Sequence, residues 1–237
     1  MIKKSNVRLL IALAAELDLN VYQFDVCTAF LNGDLDEEIF MVQPDSFVKK
    51  GNEMKVCKLN KAIYGLKQAS RQWNVKVTQV ISSWDISAPS MILVFFSKRR
   101  NNLVTFVALY VDDFVIFTNH DQEKDFLRNE LQARFKIKDF GKASQVLGMK
   151  IRRKDGKILV DQQGYIEHVV RKFGLDEANE PSTPMEHNLK FKNCEKKADV
   201  PFQELMGCLM YLAVTTRPDI AYVCSAMVES IQCLSWY

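Results

Sequence analysis

Long hydrophobic runs are missing from this chain. Its most apolar N-terminal stretch, residues 8–17 (RLLIALAAEL), is too short to cross a bilayer and is charged at both ends, so it reads as a core-facing helix. No signal peptide precedes it. Paired cysteines are missing as well: Cys27, Cys57, Cys194, Cys208, Cys224 and Cys233 form no CxxC, and the 3 histidines are not at ligand spacing, which argues against a zinc site. Thiols scattered through apolar or mixed surroundings read as free and buried, and with no membrane span or leader they imply a reducing, intracellular setting. A strong charge of one sign is absent too. The net charge of +3 permits a nucleic-acid partner without arguing for one. The basic clusters Lys49-Lys50, Lys98-Arg99-Arg100 and Arg152-Arg153-Lys154 read as solvated loops. There is no internal repeat and no low-complexity tract. What remains is an ordinary globular composition, 48% hydrophobic and 26% charged over 237 residues, enough for one large domain or a domain with a smaller appendage.

The chain is organised around residues 103–119, LVTFVALYVDDFVIFTN. Two runs rich in Val, Phe, Ile and Tyr have the length of buried strands, and the polar pair Asp112-Asp113 between them reads as the tight turn of a β-hairpin. Two adjacent carboxylates repel, by roughly 1 kcal/mol at about 4 Å in water and several times that beside a low-dielectric wall. Such a hairpin needs full solvation or a cation. An isolated acidic pair is usually a plain turn; the tetrad Tyr110-Val111-Asp112-Asp113 between apolar strands resembles the hairpin of reverse transcriptases, and that resemblance implies carboxylates that hold divalent metals.

The remaining segments supply its surroundings. Ser5-Asn6 is placed to cap the first helix, which residues 18–20 end. Residues 21–26 (VYQFDV) form a strand that delivers Asp25 at its C-terminal end, and Asn32-Gly33 signals a turn. Asp34, Asp36, Glu37 and Glu38 read as solvated turn or edge acids, not ligands. After a loop at 44–51 and a short strand at 56–59, residues 63–68 lead into a helix at 70–83. Its Trp73, Val77, Val80 and Ile81 follow helical spacing, as does Trp84 beyond it. A strand at 91–96 and a basic turn precede the hairpin. Beyond it come an amphipathic helix at 121–135 with Phe126, Leu127, Leu131 and Phe135 on one side, and a strand or bend at 136–140 ended by Gly141. A second hairpin (146–151 and 157–160) turns at Lys154-Asp155-Gly156, and a helix at 162–173 is stopped by Gly174. Residues 176–200 are polar, hold Pro181 and Pro184 and show no apolar period, so they read as a linker or strap. An apolar helix at 202–214 follows, and Pro218-Asp219 restarts a helix from 220 to about 231.

The resulting order, β, loop, α, ββ-hairpin, α, β, is an α+β pattern: a polymerase-palm-like antiparallel sheet backed by helices, with a C-terminal helical extension. An RNA-recognition module shares that alternation. It would carry a basic-aromatic strand with a glycine where this chain has TFVALYVDD. The strings DVCTAFLNGDLDEEIFM, KAIYGLKQASRQW, ALYVDD, KDFGKASQVLGMKI, STPM and LMYLAVTTRPDIAY occur here in the order found in copia-type LTR retrotransposon reverse transcriptases. From about residue 7 to 228 the chain resembles that family, the RNA-directed DNA polymerase domain of a Pol polyprotein.

That resemblance implies specific chemistry: attack of a primer 3′-hydroxyl on the α-phosphate of a deoxynucleotide, with two Mg²⁺ (or Mn²⁺) ions clamping the attacking and leaving oxygens. It assigns both ions to Asp25 and Asp112, with Asp113 on the side of the primer hydroxyl and the Val26 carbonyl as a further ligand. It puts Phe30, whose other reading is a plain core residue, under the sugar of the incoming nucleotide, where a flat ring favours deoxynucleotides. It sets Gly65, Lys67 and Gln68 near the nucleotide and template base, and Tyr110, Leu147, Gly148 and Met149 against primer and template. Expected partners are an RNA or DNA template with primer, deoxynucleoside triphosphates and other parts of a retrotransposon polyprotein, with no membrane, in a cytoplasmic virus-like-particle setting. Departures from the family pattern are Ser70 in place of proline, and residues 87–96 (SAPSMILVFF) without the acid and cysteine usual before the YVDD strand. The expected division is a palm-like domain at 1–175 with most of the basic fingers missing, the strap at 176–200, and a helical segment at 201–237 before any ribonuclease H domain. Two functions stay open: a polymerase domain, or an inactive remnant that at most binds nucleic acid weakly.

Overall fold

The computed structural model describes residues 4–84, 95–100, 103–179, 181–185 and 201–234. In chain order these form α1 (Lys4–Glu16), β1 (Asn20–Val26), β2 (Phe40–Val42), β3 (Val56–Lys58), α2 (Ala69–Ser82), β4 (Phe95–Arg100), β5 (Leu103–Tyr110), β6 (Asp113–Thr118), α3 (Asp121–Gln132), β7 (Ile137–Lys142), β8 (Gln145–Val146), β9 (Met149–Lys154), β10 (Lys157–Asp161), α4 (Gln163–Lys172), α5 (Phe202–Thr215) and α6 (Ala221–Leu234). The chain is α+β, and every strand pairing is antiparallel. It divides into two units: Asp18–Lys142, and Ala143 onward together with α1.

The first unit is a five-stranded sheet in the order β4-β5-β6-β1-β7. Strand β1 lies inside the sheet, between β6 and β7, and is apolar on both faces: Val21, Tyr22, Phe24 and Val26 are all buried. In β6, Phe114 to Thr118 are buried without a break, the pattern of a strand covered on both sides. Phe24 and Phe114 face each other across the β1–β6 ladder, both fully buried. A buried phenylalanine contributes about 1.5–3 kcal/mol, so this pair helps fix the register in which a one-residue slip would turn every side chain to the wrong face. Helix α3 packs against β6 and β7 and buries Leu127 and Leu131. Helix α2 buries Ala69, Trp73, Val77, Val80 and Ile81. A two-stranded ribbon, β2 with β3, completes the unit.

The second unit is a three-stranded sheet, β10-β9-β8, with α1, α4, α5 and α6. Helix α1 packs on α5 and β10. Met206, Ala213 and Cys224 form a core cluster, joined by Phe202, Leu209, Ile220, Met227 and Val228. No helix among the described residues is long and apolar enough to cross a membrane.

Several sequence expectations need correction. Ser5 and Asn6 lie inside α1 and do not cap it. Residues 98–100 form the end of β4 and not a turn, and Arg152 to Lys154 close β9. Gly141 does not end a strand: it stays within β7, whose register against β1 slips there. Phe126 is exposed on α3, because at helical spacing it sits beside the buried stripe of Leu127 and Leu131. Of the cysteines described, only Cys224 is buried; Cys27, Cys57 and Cys208 are partly exposed. The acids after β1 are exposed, in agreement with their reading as solvated residues. Asp34 pairs with Lys61 and Lys76, and their ammonium groups hold its carboxyl down at about 2. The start of the strand expected at 91–96, the sequence departure before the hairpin and residues 186–200 of the strap lie outside the described residues.

Gly33 serves a different purpose from the one its Asn-Gly sequence implies. Its φ is −71°, ordinary for any residue, and the left-handed residue of this loop is Thr28. What Gly33 provides is proximity: a Cβ there would lie 3.0 Å from Gln72 Cβ, 3.1 Å from the Trp73 nitrogen and 3.2 Å from the Gln72 carbonyl carbon. Gly33→Ala is therefore expected to destabilise the chain by about 1–3 kcal/mol, the usual cost of overpacking against backbone. Urea unfolding checks this; an unchanged midpoint would mean that α2 retreats freely.

Candidate active site

The hairpin turn is shifted by one residue from its sequence reading. Tyr110 pairs with Asp113, so Val111 and Asp112 make the turn and Asp113 is already the first residue of β6. Val111 adopts φ 59°. For a β-branched residue that is a true outlier, costing on the order of 1–3 kcal/mol. Two hydrogen bonds hold it. The Trp73 indole Nε1 of α2 donates to the Val111 carbonyl at 2.5 Å, and the Val26 N–H donates to the Asp112 carbonyl at 2.9 Å. Trp73 is itself wedged edge-on against Phe135, with ring centroids 5.1 Å apart. Sequence reading classed Trp73 as a core residue on helical spacing; its indole N–H, which a buried tryptophan must pair, was the available signal.

The β1–β6 register places Asp25 directly opposite Asp113. Residues opposed in an antiparallel pair project from the same face, so these two carboxylates share one side of the sheet. Asp113 accepts a 2.9 Å hydrogen bond from Gln23 Nε2, one position along that face. Burial raises the Asp113 carboxyl, the Gln23 amide draws it down, and the charges of Asp112 and Asp25 push it up again. Asp112, in the turn, is half-buried. Among the described residues no group of three or more His, Cys, Asp or Glu side chains is arranged to hold a metal. The structure thus brings Asp25 and Asp113 together by register, sets Asp112 in the adjoining turn, and does not gather the three acids into a closed protein cage.

The segment after β1 places Phe30. Thr28 adopts φ 53°, and the Leu31 N–H closes the turn onto the Thr28 carbonyl at 2.9 Å. Phe30 follows in a short 3₁₀ turn, Ala29–Asn32, half-buried rather than in the core. Its ring contacts Tyr64, with centroids 4.7 Å apart and planes at 53°. Tyr64 is 53% exposed, and its phenol is raised by burial and then by the charges of Asp112 and Asp25. Tyr64 was not singled out from sequence, yet it carries both the ring contact with Phe30 and the field of two acids. Gly65 and Lys67 are exposed and Gln68 half-buried just ahead of α2. Val26 is buried, Tyr110 half-buried at the end of β5. In the other unit, Leu147 and Gly148 form the β8–β9 turn, while the Met149 side chain is fully buried.

The electrostatics predict a pH dependence with a definite sign. A carboxyl raised in the folded state favours folding while protonated, so its contribution is complete below the unfolded value and is lost as pH rises through the raised folded value. Asp113→Asn should therefore melt higher than wild type at pH 7 in EDTA, and the difference should shrink toward pH 3.5. Parallel melts across that range test it; a difference independent of pH would show that Asp113 is not held uncomfortably charged.

Comparison with known proteins identifies the family. The family described as reverse transcriptase (RNA-dependent DNA polymerase) matches residues 1–187. The chain is 42% identical over 233 residues to the Retrovirus-related Pol polyprotein from transposon TNT 1-94 of Nicotiana tabacum, covering 93% of this chain and 18% of that protein. It is 29% identical over 231 residues to the corresponding polyprotein from transposon RE1 of Arabidopsis thaliana, covering 96% and 16%. It is 29% identical over 207 residues to a transposon Ty5-1 protein of Saccharomyces cerevisiae, covering 86% and 67%. The chain thus spans less than a fifth of the length of the first two relatives. No solved structure matches it. With the family match extending over more than half of its residues, the chain belongs to the reverse transcriptase (RNA-dependent DNA polymerase) family, of the copia type found in transposon Pol polyproteins.

Proposed function

We propose that this chain is the polymerase region of a retrotransposon Pol polyprotein, adding deoxynucleotides to a primer 3′-hydroxyl on an RNA or DNA template. The observation that carries this reading is the register of Asp25 against Asp113, with Asp112 in a strained turn between them in sequence and bonded to the end of β1.

The donor set fits Mg²⁺ or Mn²⁺. It is oxygen only, and magnesium takes one or two protein carboxylates while keeping waters and substrate phosphates as its other ligands. An open arrangement without a three-acid cage therefore suits it. The raised Asp113 carboxyl and its two acidic neighbours also leave negative charge uncompensated until a cation arrives. Asp25 and Asp112 would hold the ions with the Val26 carbonyl, and Asp113 would stand on the side of the primer hydroxyl. Two bound ions would supply neutralisation of the charge that develops on the attacking and leaving oxygens.

The chain's own residues do the rest. The Phe30 ring, backed by Tyr64, offers a flat wall to the sugar and excludes a 2′-hydroxyl. The uncovered Gly65 backbone, the Lys67 ammonium and the Gln68 amide lie on the segment that would meet the nucleotide, Lys67 as a point charge for phosphate. Tyr110 and the backbone of Leu147, Gly148 and Met149 would contact primer and template.

Primer extension on an RNA template with Mg²⁺ or Mn²⁺ tests the reading. Asp25→Asn and Asp112→Asn should each lose about 3 kcal/mol of transition-state stabilisation, roughly a hundredfold in rate. Metal that binds only the folded chain adds about 2.7 kcal/mol at a hundredfold excess over Kd. Wild type should therefore melt higher in Mg²⁺ than in EDTA, and Asp112→Asn should gain less. Extension by both variants at the wild-type rate, or a wild type that neither extends a primer nor gains stability from the metal, would overturn the proposal.

A further inference from the structure

The β8–β9 turn carries two left-handed residues, Leu147 at φ 49° and Gly148 at φ 79°. The pair suits a two-residue hairpin turn but is costly for leucine. The flanking residues Val146 and Met149 are buried and cross-paired, so the turn is the part of this hairpin that faces outward, and Gly148 is exposed. Helix α5 reaches it with Tyr211. The Tyr211 hydroxyl donates to the Leu147 carbonyl at 3.1 Å. The same oxygen sits so close over Gly148 that a Cβ there would lie 2.4 Å from it. The Tyr211 ring is braced edge-on against Tyr165 of α4, with centroids 4.8 Å apart and planes at 67°. A cavity of about 680 Å³ opens beside the turn, and Gly148, Lys150, Tyr165, His168 and Tyr211 contribute to its wall. Lys150 is exposed on that wall, opposite Asp161 in the β9–β10 ladder, and Glu167 also lines it.

We infer that Tyr211 is a positioning residue: its hydroxyl fixes the Leu147 carbonyl, and so presents the Leu147–Gly148 backbone in one conformation to the sugar-phosphate backbone of a primer strand. Three facts bear on this together. The turn is strained at Leu147, so it needs an outside partner to stay in place. The partner is a single hydroxyl on a braced ring. The missing side chain at Gly148 leaves room for that hydroxyl and leaves peptide groups uncovered. The inference rests on the polymerase reading, which names the primer as what the turn meets.

The test uses the full chain and a fluorescent DNA primer annealed to an RNA template, followed by anisotropy. Tyr211→Phe keeps the ring and removes only the hydroxyl, so it should raise Kd by roughly two- to tenfold, as expected for one lost hydrogen bond. A variant that is merely less folded raises the apparent Kd by the inverse of its folded fraction at an unchanged end point, so the folded fraction read from the melt at the assay temperature is divided out first, and the two- to tenfold rise should remain. A second comparison needs no nucleic acid. Gly148→Ala should lower the melting temperature more in wild type than in the Tyr211→Phe background, where the next ring atom lies 3.7 Å from the new Cβ. A wild-type Kd in Tyr211→Phe overturns the positioning role. Equal melting losses in the two backgrounds overturn the contact itself. A wild-type chain that binds no primer–template overturns the polymerase reading and this inference with it, and the melts alone then report on the contact.

Discussion

Everything at the candidate site depends on a turn that the backbone would not adopt unaided. Val111 stands at φ 59° with a branched side chain. Such a residue persists only where its surroundings over-determine it. Here the carbonyls of Val111 and Asp112 are each held by a donor from a different element, an indole on α2 and the last amide of β1. A net hydrogen bond contributes about 0.5–1.5 kcal/mol, so two of them match the order of the strain. The outcome is positional. With the turn pinned to β1, Asp112 cannot drift from the strand end that carries Asp25, and the register does the same for Asp113.

The acids make this arrangement unfavourable on its own. Burial and the charges of Asp112 and Asp25 raise the cost of charging Asp113, and the Gln23 amide offsets only part of that. The fold tolerates it because the stabilising terms lie elsewhere, in the fully buried Phe24, Phe114, Ile116 and Phe117 that set the β1–β6 register. Hydrophobic burial fixes the spacing, and the spacing forces the charges together. On the function proposed above, a cation would convert this repulsion into binding. The same logic accounts for Asp34, an acid of similar sequence context with the opposite fate. Two lysines reach it in open solvent, its carboxyl is lowered, and it has no call for a metal.

Strongly periodic or strongly apolar segments were legible in the sequence. Helices α2 and α3, the long hairpin, the second hairpin at Asp155-Gly156 and the helix pair after Pro201 all stand within a few residues of where composition puts them. Backbone devices were not legible. The turn falls on Val111 and Asp112 instead of the two aspartates, because the strand pairing of Tyr110 with Asp113 claims the second acid. Asn32-Gly33 looks like a turn by composition, but the left-handed residue is Thr28, and Gly33 is needed for its closeness to α2. Gly141 looks like a terminator and is a bulge, a choice made by pairing with β1. At the site, the acids, Phe30 and the Leu147-Gly148 turn were visible as residue types in a known order. Trp73, Gln23 and Tyr64 were not. Their roles come from a hydrogen bond or a ring contact across at least 34 residues of sequence, counted from Phe30 to Tyr64, and local pattern names no partner for any of them, even for the indole N–H of Trp73 that must find one.

The two units use the same device. In the first, an apolar residue in left-handed backbone, Val111, has its carbonyl bound by the aromatic N–H of a helix residue, Trp73, whose ring is braced by Phe135. In the second, Leu147 in left-handed backbone has its carbonyl bound by the aromatic O–H of Tyr211, whose ring is braced by Tyr165. An aromatic donor suits this task for a physical reason. It delivers a polar group on a rigid ring with few torsions, so little side-chain entropy is lost when the bond forms, and the ring itself gains from burial. A lysine or glutamine could make the same bond only by freezing a long, solvated chain. Hairpin turns are otherwise among the more mobile parts of a fold. Where a backbone must meet a substrate in one geometry, a strained turn with an aromatic lock provides a defined surface without adding side chains at the point of contact.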